Sequence, residues 1–188
     1  MQRLLNICQT YCSEYCLNFN PKKSKTLLFG PSLNTSIQPL ILNGATIDFV
    51  ENWKYLGTTV VSGKNLCFSS HDDLRSFYRS TNSVLSFLKS PNELVLMHLL
   101  YSICVPALTY AADVKVFSSA EMNSCNVALN NAIRRIFSFQ RWESTRSLRQ
   151  QLNYLNIYEI FESRRIRFAS ARQRSSNQVI AFLTNKLC

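Results

Sequence analysis

Glycine and proline are scarce, with 4 and 5 positions among 188 residues, which excludes a collagenous or low-complexity chain. Apolar residues at 46% and aromatic residues at 12% exclude wholesale disorder. Histidine occurs only at His71 and His98, neither beside a cysteine or a second histidine, so no metal centre is expected. The 7 cysteines are odd in number and lack paired C-x-x-C spacing, which argues against a secreted disulfide framework. Cys8, Cys12 and Cys16 recur at steps of four, the spacing of one helix face, and are expected to be small buried thiols. No leader is expected either: Asn6, Gln9 and Glu14 interrupt the apolar residues at the N-terminus, so the chain reads as intracellular. Long apolar runs are limited to residues 94–112, where His98 and Pro106 intervene. A break at Pro106 leaves a helix too short to span a bilayer, so a buried helix followed by a turn is expected. A small single-span membrane protein is the alternative that an unbroken run would support.

Acidic side chains are the remaining shortage, 11 against 21 Lys plus Arg, for a net charge of +10. The imbalance is local. Residues 1–133 hold 10 basic and 8 acidic side chains, whereas residues 134–188 hold 11 and 3. All the basic residues of the second stretch except Lys186 are arginine, whose planar guanidinium binds phosphate in bidentate fashion and stacks on bases. A polyanion-facing surface therefore belongs in the last third, unless the charge only solvates a helix face.

Hydrophobic periodicity predicts an α+β chain, mostly α. Residues 2–16 read as an amphipathic helix, broken by Pro21. Residues 26–29 read as a short strand ended by Gly30-Pro31. Runs at 37–42 and 46–50 flank Asn43-Gly44, the pair that favours a type I′ hairpin, and a third run at 55–61 contains Gly57. Together they predict one small antiparallel sheet. From residue 70 the period becomes helical, with a turn at residues 62–64 marking the boundary between segments 1–63 and 64–188. Helix starts with capping-box spacing are Ser70 with Asp73, Ser90 with Glu93, Ser118 with Glu121 and Asn156 with Glu159. Ser144 is expected to cap a short helix carrying Leu148 and Leu152, so a bundle of about five helices follows the sheet. In the last helix Arg164, Arg167 and Arg174 share one face, while Ile157, Phe161 and Phe168 follow another.

Three stretches in order resemble the downstream half of a non-LTR (LINE-type) retrotransposon reverse transcriptase. Residues 16–29, CLNFNPKKSKTLLF, are similar to the segment that follows the catalytic palm strands, with Cys16 in place of the family's glycine and one extra residue before Lys25-Thr26. The hairpin ILNGATI at 41–47 leading into WKYLG at 53–57 resembles the element that grips the primer end. Residues 100–110, LYSICVPALTY, with the later LNNAIRRI at 129–136, SLRQQL at 147–152 and Arg164-Arg165, are similar to the thumb and its connecting helices.

The resemblance implies a palm remnant and primer-grip-like hairpin in 1–63 and a thumb with connection in 64–188. The family's enzymes are RNA-directed DNA polymerases that hold two Mg²⁺ ions on palm aspartates. Those motifs would precede Met1, so a fragment without polymerase activity or cofactor of its own is expected. Asp72-Asp73, the one adjacent carboxylate pair, fits a helix start better than a metal site. Lys25, or else Lys22 or Lys23, matches the lysine that lies by the departing pyrophosphate. Tyr55, Leu56 and Gly57 match residues that position the primer backbone, although Trp53 and Tyr55 equally suit sheet packing. Arg134, Arg135, Arg141, Arg164, Arg165 and Arg167 become candidates for binding an RNA/DNA duplex through its phosphates. The implied partners are that duplex and the missing palm. The competing expectation is an inert relic of a transposon with no selected role.

Overall fold

A computed structural model describes residues 1–31, 38–87, 92–177 and 179–180. The chain divides into two units, Met1–Ser69 and Ser70–Cys188.

In the first unit, helix α1 spans Gln2–Glu14 and ends as Cys16 turns into the left-handed region at φ 55°. Asn20 then accepts a hydrogen bond from the Lys23 amide and caps a single 3₁₀ turn, Pro21–Lys23, as expected where proline suits the first turn of a helix. Strands β1, Leu40–Leu42, and β2, Ala45–Ile47, pair antiparallel through the turn Asn43-Gly44, whose φ values of 49° and 74° are those of a type I′ hairpin. The Gln2 side-chain amide both donates to the Ile41 carbonyl and accepts from its N–H, each at 2.8 Å, and so binds α1 to the free edge of β1.

The third run departs from its expected form. It is not one strand over 55–61 but the end of β3, Asn52–Tyr55, a second tight turn at Leu56-Gly57, and β4, Thr58–Val61. Leu56 at φ 47° and Gly57 at φ 77° reproduce the backbone of the first hairpin. A non-glycine residue in the first position hides this turn from sequence inspection. Strand β5, Cys67–Ser69, adds a third member in the order β3-β4-β5, so there are two separate sheets where one was expected. Residues 26–29 are likewise not a ladder strand: Thr26 bridges Phe49 and Phe29 bridges Gly63, both in parallel fashion and both isolated. Because Gly63 also exchanges backbone hydrogen bonds with Leu28 and Gly30, the expected boundary at 62–64 falls inside the first unit.

The second unit carries the main core. Helices α2 (His71–Phe87), α3 (Glu93–Leu99), α4 (Val105–Leu108), α5 (Ser119–Ile136), α6 (Arg146–Gln151) and α7 (Ile157–Gln173) bury Phe77, Met97, Leu108, Leu129, Ile133 and Phe161 among others. Between α3 and α4 the backbone makes a π-helical turn at Leu100–Cys104. The helix therefore runs past Pro106 to Leu108 instead of breaking there. A π turn widens the helix just ahead of a residue that has no N–H and whose ring would crowd the preceding turn, so the proline is accommodated. Among the described residues no helix is long and apolar enough to cross a membrane.

The capping boxes of α5 at Ser118-Glu121 and of α7 at Asn156-Glu159 form as the spacing predicts. Others differ. Ser90 lies outside the described residues, and α3 is capped by Asn92, whose side chain accepts from the Leu94 amide. Ser144 accepts from the Arg146 amide, while Thr145 occupies the cap position of α6 and gives its hydroxyl to Asn130. Apart from any cap, the start of α2 is tied to later segments: the Ser70 amide donates to Glu121, and Asp73 pairs with Lys115 at 2.6 Å. Cys8 and Cys12 are half-buried and Cys16 is exposed, because α1 buries no residue and its thiols therefore have no core to join.

Candidate nucleic-acid interface

The second hairpin turn places Tyr55 and Leu56 at 64% and 74% exposure, among the most exposed large apolar side chains of the first unit. Tyr55 ends β3 and Leu56 opens the turn, and Gly57 supplies the positive φ that the second turn position demands. Trp53, one residue before Lys54 on β3, faces Val60 across the strand pair and is half-buried. Of the two aromatic residues, Trp53 packs and Tyr55 is presented. Lys25 forms an ion pair with Asp48 and lies 5.8 Å from the centre of the Trp53 ring. Its charge is thus held inside the unit. Lys22 and Lys23, on the 3₁₀ turn, are exposed.

The candidate arginines divide into two groups. Arg164 donates to the Thr109 carbonyl at 3.1 Å and Arg165 to the Lys115 carbonyl at 2.9 Å, so both fasten α7 to the segment between α4 and α5. Arg134 donates to the Glu143 carbonyl and to Asn131, and Arg135 to Asn82. Arg141 and Arg167 are exposed, and no described residue holds either in a hydrogen bond or ion pair. A guanidinium already bound to a carbonyl still has donors to spare, but its position is set by the fold and not by a ligand.

Beside Arg141 stands a residue that periodicity does not single out. Trp142 is 82% exposed. It sits in the loop between α5 and α6, where the Glu143 carboxylate accepts from the Gln140 amide and the Glu143 carbonyl accepts from Arg134. The turn is therefore pinned on both sides of the indole, which remains in solvent. An exposed aromatic face next to an exposed guanidinium is a combination on which an unpaired base can stack. The sequence signal was an Arg-Trp pair in a loop, outside any apolar repeat.

The Asp72-Asp73 pair does not fit a two-metal site, since the Asp73 carboxylate is buried against Lys115. Among the described residues no group of three or more His, Cys, Asp or Glu side chains converges on a point that could hold a metal ion. No family model, no curated protein and no solved structure matches this chain.

Proposed function

We propose that this chain serves as the primer-grip and thumb portion of a non-LTR reverse transcriptase, binding template-primer duplex through phosphates and contributing no metal-binding carboxylates of its own. The observation that carries the proposal is the exposed Tyr55-Leu56-Gly57 turn at the end of the WKYLG motif, a glycine-containing hairpin tip that a nucleic-acid backbone can approach closely. Exposed Arg141, Trp142 and Arg167 on the helical unit supply phosphate and base contacts. A further support is the apolar face of α1, where Leu4, Ile7, Tyr11 and Tyr15 are each more than half exposed. Side chains at this helical spacing normally face a partner, and in this proposal the palm covers them.

The test is binding of the full chain to an RNA/DNA hybrid across a salt series. Affinity should fall steeply with salt, and Arg141→Ala and Arg167→Ala should each lower the log-log slope by about one. Salt-independent binding, or slopes unchanged in both variants, would falsify the phosphate contacts. The uncovered α1 face also suits a second reading, an unselected transposon relic. Complete absence of hybrid binding by well-folded protein would favour it.

A further inference from the structure

A cleft of about 290 Å³ opens in the helical unit between α5, α6 and the start of α7. Its walls include Asn126 of α5, Arg146 and Arg149 of α6, Tyr154 of the following loop, and Tyr158 and Glu159 of α7. Arg146 and Arg149 are three residues apart and so share one side of their helix. Arg146 is exposed. Arg149 is half-buried, and its Nε and Nη1 are both closed off from solvent without a hydrogen-bond partner among the described residues.

That deficit is chemically informative. A guanidinium removed from water needs acceptors, and leaving its donors unpaired is among the costlier defects a fold can carry. The groups around it supply too few of them. The Tyr101 hydroxyl oxygen is a hydrogen-bond partner of the Arg149 guanidinium while it gives its own proton to the Leu155 carbonyl at 2.8 Å, and Nε and Nη1 still lack a partner among the described residues. Burial pushes the Tyr101 phenol up to about 12, with the Arg149 charge acting in the opposite direction, so this hydroxyl stays neutral at ordinary pH. Tyr154 stacks on the Tyr101 ring at 4.3 Å between centres, which fixes that wall. The one carboxylate of the cleft, Glu159, is occupied in the α7 capping box, where it accepts from the Asn156 amide at 2.7 Å. It forms no ion pair with either arginine.

We propose that this cleft binds a phosphate group, with the Arg149 and Arg146 guanidiniums as its main ligands and the Asn126 amide and the tyrosine hydroxyls as supporting donors. A phosphate offers the planar pair of oxygens that matches the edge of the exposed Arg146 guanidinium, and its further oxygens bring negative charge to Arg149 beside it. The source of the phosphate is either a free or terminal monoester or a backbone diester of nucleic acid. The site does not depend on the polymerase reading above, because its residues are distinct from Arg141 and Arg167 and from the hairpin tip.

The experiment is thermal melting and calorimetric titration of the full chain with inorganic phosphate, against chloride at matched ionic strength. Phosphate should raise the melting temperature and bind saturably. Arg149→Gln should weaken binding by about tenfold or more, the loss that goes with a charge-assisted hydrogen bond. Because Arg149 is half-buried, Arg146→Ala provides a variant on an exposed residue, and it should also weaken binding while melting like the parent in chloride. Arg174→Ala, outside the cleft, should bind as the parent does. No phosphate-specific shift in the parent protein, or shifts in both Arg149→Gln and Arg146→Ala as large as the parent's, overturns the proposal. A pair of otherwise identical oligonucleotides with and without a 5′-phosphate then assigns the source. Binding that needs the 5′-phosphate supports a monoester site, and equal Arg149-dependent binding of both supports a diester site.

Discussion

Lys115 is only 1% exposed, yet it sits in an ion pair. Its Nζ lies 2.6 Å from Asp73, with the rings of Tyr110 and Phe117 at 5.5 and 5.9 Å. Desolvating both ions costs much of what their attraction returns, but removing one leaves the other stranded. Lys115→Met should therefore destabilise the protein by about 3–5 kcal/mol in urea unfolding, and Lys115→Met combined with Asp73→Leu should recover part of that loss. A single variant as stable as the parent would show that the pair is solvated in solution. Nearby, Cys125 is buried, and desolvation, reinforced by the charges of Asp73 and Glu121, pushes its thiol up to about 12 from 9.0. The folded thiol thus keeps its proton to higher pH than the unfolded one. Its contribution to stability is complete below about pH 9 and is lost as the pH rises toward 12. In urea midpoints measured from pH 8 upward, the alkaline decline should be shallower for Cys125→Ala than for the parent protein, and parallel declines would contradict the assignment. Neither residue draws attention in the sequence, because burial of a lone lysine or thiol depends on which helices converge around it.

At the scale of elements, local chemistry explains what formed as expected. The α5 and α7 boxes need only a side chain and an acid three residues on, both visible in the sequence. Asn156→Ala should cost about 1 kcal/mol, read as a shift in the unfolding midpoint. The Leu56-Gly57 turn was hidden because leucine rarely adopts a positive φ, and here it carries that strain at 47°. Leu56→Asn should relieve it and stabilise the hairpin by about 0.5–1 kcal/mol. If the tip contacts a primer, the same substitution should weaken hybrid binding. Arg164 and Arg165 show the opposite limitation. Charge and position made them look available to a ligand, but their carbonyl partners on the α4–α5 connection lie about fifty residues away in sequence, at separations of 55 and 50. Their replacement by alanine should cost stability before it costs affinity.

For the whole molecule, burial is distributed unevenly between the units. Leu42 and Ile47 are the buried apolar side chains described in the first unit, whereas the second encloses a cluster running from Phe77 to Phe161. Backbone groups of the first unit should therefore open more readily, and hydrogen exchange of the full chain should show faster exchange in α1 and β1–β5 than in α5. Equal protection in both would mean that α1 and the sheets are covered in solution, as the exposed Leu4, Ile7, Tyr11 and Tyr15 would permit. The sequence by itself determined the α+β order, the Asn43-Gly44 hairpin, two capped helices and the basic C-terminal third, because each depends on residues within a few positions of one another. Only the tertiary structure decided which of the basic side chains became fasteners, which stayed exposed and which, like Arg149, was half-buried beside a cleft with two donor atoms unpaired. A guanidinium is the same group at every position in the chain. Its role is set by the acceptors that distant segments bring to it.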